Sequence, residues 1–213
     1  MSSAVGKRSP ATVTDLLAIP EDERYHEVID GELVRKAMPT FEHGDAQSAL
    51  ASRIKGPFQR RPGGTLPGGW WIGTEVEIEL APSHVYRPDV VGWRRERVPE
   101  RPRGTPISIR PDWICEVLSR STAHVDMGNK RLGYHRAGVA HYWLVDPING
   151  TLAVLEWTAA GYLVALVAGR GEKVRAAPFE AIEIDVSELL GDDEEPQAAS
   201  EAAPEAPDEE PAR

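Results

Sequence analysis

The alternation of apolar and polar positions divides the chain into helical and extended stretches. Glu27 to Val34 places Asp30-Gly31 between two short apolar-alternating runs, the pattern of a tight β-hairpin. His43 to Phe58 carries Ala46, Ala49, Leu50, Ile54 and Phe58 at helical spacing. Before the hairpin, Thr12 or Thr14 can cap a short helix through Leu16 to Ala18 that Pro20 ends. From Trp70 onward the period becomes two. Val76, Ile78 and Leu80 alternate with Glu75, Glu77 and Glu79, which predicts one strand with its three acids on one face, a wet face or, as the alternative, a source of a further carboxylate for a metal site.

Pro88 to Trp93 reads as a further strand entered through proline, followed by an irregular Arg- and Pro-rich connection over 94–110. Trp113 to Leu118 is almost continuously apolar, as expected of a central strand covered on both faces. Asp126 to Arg136 fits a helix of about three turns. Ala140 to Val145 is a strand, and Thr151–Trp157 with Tyr162–Val167 forms a second hairpin. Val186 to Leu190 closes the domain as a short helix. The order predicts one α/β domain over residues 12–190: a mixed central sheet flanked by helices, with an N-terminal β-hairpin.

Composition sharpens the boundaries. The 213 residues include a single cysteine, Cys115, which excludes a disulfide framework and a multi-cysteine zinc site. No stretch reaches the roughly 18–20 apolar residues that cross a bilayer, and the first residues lack the apolar core of a secretory signal. The expectation is a cytoplasmic protein with no membrane partner. The net charge of -10 is unevenly placed. Residues 191–213 hold nine of the 34 acids and one of the 24 bases, so the remaining body has 25 acids and 23 bases and stands near neutrality. Such a segment cannot bury enough apolar surface to offset its ordering entropy, so 191–213 is expected to be a disordered acidic tail, and 1–11 a flexible N-terminus. A near-neutral body does not exclude an anionic substrate.

Glu116 is the most informative position. It interrupts an apolar strand, where a carboxylate is costly unless it is paired or binds a metal. Asp89 begins the strand after Pro88. Two strand-borne carboxylates that meet where adjacent strands diverge offer hard oxygen ligands to Mg²⁺ or Mn²⁺, with the backbone carbonyl of Val117 or Leu118 as a third. A structural salt bridge for Glu116 and a capping role for Asp89 are the plainer alternatives. Lys130 lies four residues after Asp126 and four before Tyr134, on one helical stripe. Near the acids it would orient or deprotonate a water or neutralise transition-state charge; otherwise it is an ordinary i,i+4 partner of Asp126.

Several ordered motifs carry a resemblance. Tyr25 to Val34, His43, Arg87 to Val91, Glu116 to Thr122, Asp126, Lys130, Tyr134 and Gly138 to Pro147 are similar to the landmarks of the Uma-two family. That family belongs to the PD-(D/E)XK superfamily of nucleases. The resemblance implies a restriction-endonuclease-like core and Mg²⁺-dependent hydrolysis of DNA phosphodiester bonds. It puts Asp89 and Glu116 at the metal-binding acids, and Glu27 and His43 at recurring positions near the site. The superfamily's usual Lys stands two residues after the Glu, where this chain has Leu118. Lys130 resembles a Lys migrated to the following helix. Arg120 stands where the family commonly has Pro.

A nuclease must also hold a phosphate backbone. Arg53, Lys55, Arg60 and Arg61 form one basic stretch, and Arg94, Arg95, Arg97, Arg101, Arg103 and Arg110 another. Trp70, Trp71 and Trp93 lie nearby in sequence, as base-stacking groups or as core. Cleavage of both strands would suit a homodimer. A different reading keeps the fold without the chemistry, as a silent nucleic-acid-binding or protein-interaction module, and Leu118 is its main support. Cys115, within the apolar strand, reads as a small hydrophobe.

Overall fold

The computed structural model describes residues 9–121 and 123–192. The acidic stretch from 193 onward and residues 1–8, for which a disordered tail and a flexible N-terminus were expected, lie outside the described residues. In chain order, α1 (Val13–Leu17) precedes β1 (His26–Ile29) and β2 (Glu32–Arg35), and α2 spans Phe41–Phe58. Then come β3 (Trp70–Thr74), β4 (Ile78–Ala81), β5 (His84–Tyr86), β6 (Val90–Arg94) and β7 (Trp113–Val117). A helical segment follows: α3 (Ala123–Val125), a π-helical turn (Asp126–Lys130) and α4 (Arg131–Arg136). The chain continues through β8 (His141–Asp146), β9 (Thr151–Thr158), β10 (Gly161–Gly169), β11 (Lys173–Val174), β12 (Ile184–Asp185) and α5 (Val186–Leu189).

The main sheet has six strands in the order β10-β9-β8-β7-β6-β3. It is mixed: β7 and β8 run parallel, while the other neighbours are antiparallel. A parallel pair needs a crossover, and the segment from α3 to α4 supplies it. The second sheet, β2-β1-β5-β4, has four strands. Its hairpin turns at Asp30 and Gly31 with positive φ of 50° and 79°, the conformation that Asp-Gly supplies for a two-residue turn.

Alternation along β7 divides the core into two layers. Trp113, Cys115 and Val117 face Leu50, Ile54, Trp143 and Phe179, on the side covered by α2. Ile114 and Leu118 face Tyr134, Tyr142 and Val139, on the side of the crossover helix. Cys115 is fully buried among these apolar groups, as a small hydrophobe would be. Glu116 shares the crossover-helix face. That helix approaches closely because position 133 is glycine: a Cβ there would lie 1.9 Å from the Tyr86 hydroxyl.

One expectation fails and another holds with a change of winding, both for tertiary reasons. The predicted continuous strand carrying Glu75, Glu77 and Glu79 is broken. β3 ends at Thr74, Glu75 takes a left-handed φ of 54°, and β4 belongs to the other sheet. The three acids therefore do not share a wet face. Glu77 is buried and pairs with Arg87 Nη2 at 2.7 Å and Arg24 Nε at 3.3 Å. The helix expected over Asp126–Arg136 begins earlier and contains the π turn, a wider winding that is rare and concentrated at functional positions.

Candidate active site

Glu116 and Asp89 meet because β6 stops short of the end of β7. The last antiparallel pair joins Val90 to Cys115, so Val117 lies beyond the reach of β6. Asp89 fills the gap: its Oδ2 accepts the Val117 N–H at 2.7 Å, and its own N–H points to Glu116 Oε2 at 3.4 Å. Both carboxylates are buried. They line a cleft of about 350 Å³ together with Glu27, Lys36, His43 and Lys130.

Lys130 crosses the cleft floor. Its Nζ lies 3.1 Å from Glu116 Oε1, 3.1 Å from Glu27 Oε1 and 3.2 Å from Asp126 Oδ1. The π turn places both Asp126 and Lys130 inside, where a lone i,i+4 surface pair would have been solvated. Tyr134, one turn on, donates to Glu116 Oε1 at 2.6 Å. Glu27 is buried on β1 and also accepts the Arg87 N–H at 2.7 Å. His43 sits in the first turn of α2, where Thr40 Oγ1 accepts its N–H, and its Nε2 reaches Asp89 Oδ2 at 3.2 Å. Thus Asp89, Glu116, Val117, Lys130, Glu27 and His43, all singled out from sequence, stand together.

The pattern of the chain did not point to Lys36. Its Nζ donates to Asp89 Oδ1 (2.9 Å), to both oxygens of Glu75 (2.8 and 2.9 Å) and to the Arg87 carbonyl (2.9 Å). A signal for it exists in the hairpin. Glu27 pairs with Val34, so period two puts Lys36 on the same face, one step past the strand end. Gln47, one turn after His43, ties Asp89 O (3.0 Å) to Glu75 Oε1 (3.2 Å). Glu75 and Asp126 also belong to the cleft.

Burial sets the electrostatics. For Lys130, burial alone would favour the neutral amine, but Glu116, Glu27 and Asp126 overcome it and hold the pKa well above the ordinary lysine value. These neighbours favour the charged ammonium of Lys130, a donor to all three carboxylates. Lys36 is raised in the same way, burial being outweighed by Asp89, Glu116 and Glu75. Burial pushes Glu116 well up, with Lys130 opposing and Asp89, Asp126 and Glu27 adding repulsion. Asp126 is raised for the same reasons. Burial would also raise Asp89, yet the His43 hydrogen bond and the charges of Lys36, His43 and Lys130 hold it below the usual carboxylate range. The same hydrogen bond raises His43 against the pull of burial.

Five carboxylates thus share two ammonium groups and one imidazole, and burial first, with repulsion among the acids adding to it, keeps Glu116 and Asp126 raised. Among the described residues, no three His, Cys, Asp or Glu side chains are grouped closely enough to hold a metal ion by themselves. The chemistry of the donor set nevertheless fits a hard divalent cation. It offers carboxylate oxygens, an excess of negative charge, and a backbone at Val117 that strand pairing with β6 leaves unused.

The basic stretches lie elsewhere. Across β6, from Asp89 just before it to Arg95 just after it, six steps at strand rise span on the order of 20 Å. Along α2, His43 to Lys55 is about 18 Å. Both rulers put the arginines at the opposite end of the sheet. Several of them are structural: Arg97 pairs with Asp112 at 2.7 Å, Arg53 with Glu188 at 3.0 Å, and Arg110 donates to the Gly138 carbonyl. The tryptophans do not await bases. Trp70 packs on Phe179, Trp93 is buried with Nε1 on the Ile109 carbonyl, and Arg95 covers Trp71.

Among the described residues no helix is long and apolar enough to cross a membrane. No curated protein matches the chain. Among solved structures, the chain is similar to one described as a "putative nuclease belonging to DUF820 from Anabaena variabilis ATCC 29413". The TM-score is 0.65 at 23% identity, covering 85% of this chain and 98% of that one. This likeness shows the fold, an α/β nuclease-like architecture around a mixed sheet. The family model for Uma2, described as "Putative restriction endonuclease", matches residues 13–187. With most of its length inside that match, the chain belongs to the Uma2 family.

Proposed function

We propose that the chain is a metal-dependent endonuclease that hydrolyses DNA phosphodiester bonds in this cleft. The observation that carries the reading is the meeting of buried Asp89 and Glu116 at the split between β6 and β7, bracketed by the ammonium groups of Lys36 and Lys130. Asp89, Glu116 and the Val117 carbonyl would hold Mg²⁺ or Mn²⁺. A divalent ion there supplies Lewis-acid stabilisation of phosphoryl charge and acidifies a bound water.

The chain's own groups do the rest. Lys130 commits its three N–H bonds to Glu116 Oε1, Glu27 and Asp126, and it positions the attacking water by its charge and through the carboxylates it holds. His43 and the Val117 N–H set the angle of the Asp89 carboxylate. Lys36 brings a second positive charge to the Asp89 side, where the phosphate's oxygens would lie. Leu118 stands where the superfamily usually has Lys and faces the core, so charge reaches the site from the hairpin and the crossover helix instead.

Cleavage of supercoiled plasmid or oligonucleotide with Mg²⁺ or Mn²⁺ tests the reading, comparing wild type with Asp89→Ala and Lys130→Ala. Cleavage unchanged in both variants would sink it. A second reading, a catalytically silent module, is favoured by one observation: both Asp89 oxygens already have protein partners. Calorimetry with Mg²⁺ separates the two, since heat of binding that Glu116→Ala abolishes speaks against the silent module.

A further inference from the structure

At the far end of the sheet, the loop over 59–69 and the connection after β6 enclose a cleft of about 480 Å³ lined by Arg61, Arg95, Arg101 and Arg103. The loop is held in place. Gly69 N–H donates to Arg60 O (2.7 Å), Arg95 N–H to Gly69 O (2.8 Å), and Gly68 N–H to Pro57 O (3.1 Å). Gly68 has a φ of 63°, and a Cβ there would lie 2.6 Å from the Arg61 carbonyl, so this path requires glycine. The result is that Arg61 from one loop stands beside Arg95 from another.

Arg95 is pinned. Its guanidinium lies 3.7 Å from the Trp71 ring centroid, and its Nε donates to the Trp70 carbonyl at 2.9 Å. Stacking and one carbonyl leave the outer edge of a planar fork presented to the cleft. Burial and the nearby Arg61 charge both press Arg95 below the ordinary arginine value. In contrast with Arg97 and Arg53, none of these four arginines has a carboxylate within ion-pair distance among the described residues, although Glu100 lines the same cleft. Like charges gathered on a fixed scaffold are relieved by an anion, and guanidinium forks match phosphate oxygens.

We propose that this arginine cleft is a phosphate-binding exosite that grips nucleic-acid backbone away from the acid cluster. The choice of nucleic acid over other anions rests on the nuclease reading, whereas the anion site itself rests on the four arginines. Backbone contacts of this kind would position a duplex without reading its sequence.

The test uses the full chain with a short fluorescent DNA duplex, in EDTA so that metal-dependent contacts and cleavage are silent. Anisotropy titrations run at several salt concentrations. Wild type should bind with salt-dependent affinity. The triple variant Arg61→Gln, Arg101→Gln, Arg103→Gln should bind at least about tenfold more weakly, with a salt slope smaller by roughly 2–3. These side chains are exposed, so an unchanged melting temperature is expected and rules out misfolding as the cause. Equal affinity and slope in both proteins would overturn the exosite, as would no duplex binding by wild type. Displacement of the duplex by inorganic phosphate at matching phosphate concentration would show a small-anion site and overturn the nucleic-acid assignment. A wild type that binds duplex through these arginines yet never cleaves with Mg²⁺ would remove the nuclease reading and leave the exosite standing.

Discussion

The two ends of the six-stranded sheet carry charge in opposite ways. At the Glu116 end, Glu27, Asp89, Glu116, Asp126 and Lys130 are buried and paired with one another or with close neighbours, and burial together with those neighbours moves proton affinities up at Glu116 and down at Asp89. At the Arg95 end, Arg61, Arg101 and Arg103 are exposed beside a pinned Arg95, and among the described residues none of the four has a carboxylate within ion-pair distance. Buried charge is converted into fixed geometry, because each group must satisfy its neighbours. Exposed charge is converted into a field that salt can screen. The first suits chemistry on one bond, the second suits holding a long anion. Mutations at the two ends should therefore fail in different assays.

The largest effect is expected at the acids. Asp89→Ala or Glu116→Ala should lower the rate of plasmid cleavage by about 10³-fold or more, about 4 kcal/mol of transition-state stabilisation, while duplex binding in EDTA persists. If binding collapsed and cleavage per bound complex did not, the division between the ends would be wrong. Next comes Lys130→Met. It strands three carboxylates in the interior, and breaking a buried pair costs about 3–5 kcal/mol, to be read from denaturant unfolding. Lys36→Met should cost less stability, since Lys36 is more exposed and its partner Glu75 can turn to water (side-chain exposures of 18% and 42%). Equal losses from both lysines would mean that the floor and the mouth of the cleft are not distinct.

Gly133→Ala is a smaller structural probe of the same end. The new Cβ meets the Tyr86 hydroxyl, and overpacking of this kind costs about 1–3 kcal/mol. The loss of activity should exceed what the stability change accounts for, because the displaced helix carries Lys130. An unchanged rate in the folded variant would show that the helix need not sit so close to β5.

Local patterning revealed the elements whose cause is local. Asp30-Gly31 reads as a hairpin because the turn needs left-handed backbone there, and Trp113–Leu118 reads as a central strand because both of its faces are apolar. Glu116 stands out in that strand by cost alone. What remained hidden depends on where the chain goes next. The corner at Glu75 sends an apparently continuous alternation into a second sheet, so Glu77 is buried and Glu75 joins the cleft. The π turn moves Asp126 and Lys130 inside without changing their sequence spacing. Lys36 looks like any basic residue after a hairpin until the register with Glu27 is counted. The arginine stretches, near Asp89 in sequence, are carried by β6 and α2 to the opposite end.

The smallest effect expected is in the pH dependence of stability, and its sign follows from the buried acids. Glu116 is raised above the ordinary 4.5, so between that value and its elevated one the folded chain holds a proton that the unfolded chain has lost. The slope of stability with pH follows protons bound in the unfolded state minus those in the native state, so it is negative in this window. Asp89 is depressed below 3.8, and its contribution is present above that value and lost as pH falls through its lower folded one. In EDTA, melting temperature should therefore decline as pH rises above the ordinary carboxylate value of 4.5, with the raised His43 adding to the decline above 6.5, by about 2–4 °C for each kcal/mol. Glu116→Gln should flatten the decline. Mg²⁺ favours the ionised carboxylates, so its stabilisation should grow with pH over the same range. The triple arginine variant, altered only at the other end, should show the wild-type profile; a changed profile would mean that the two ends are electrostatically coupled.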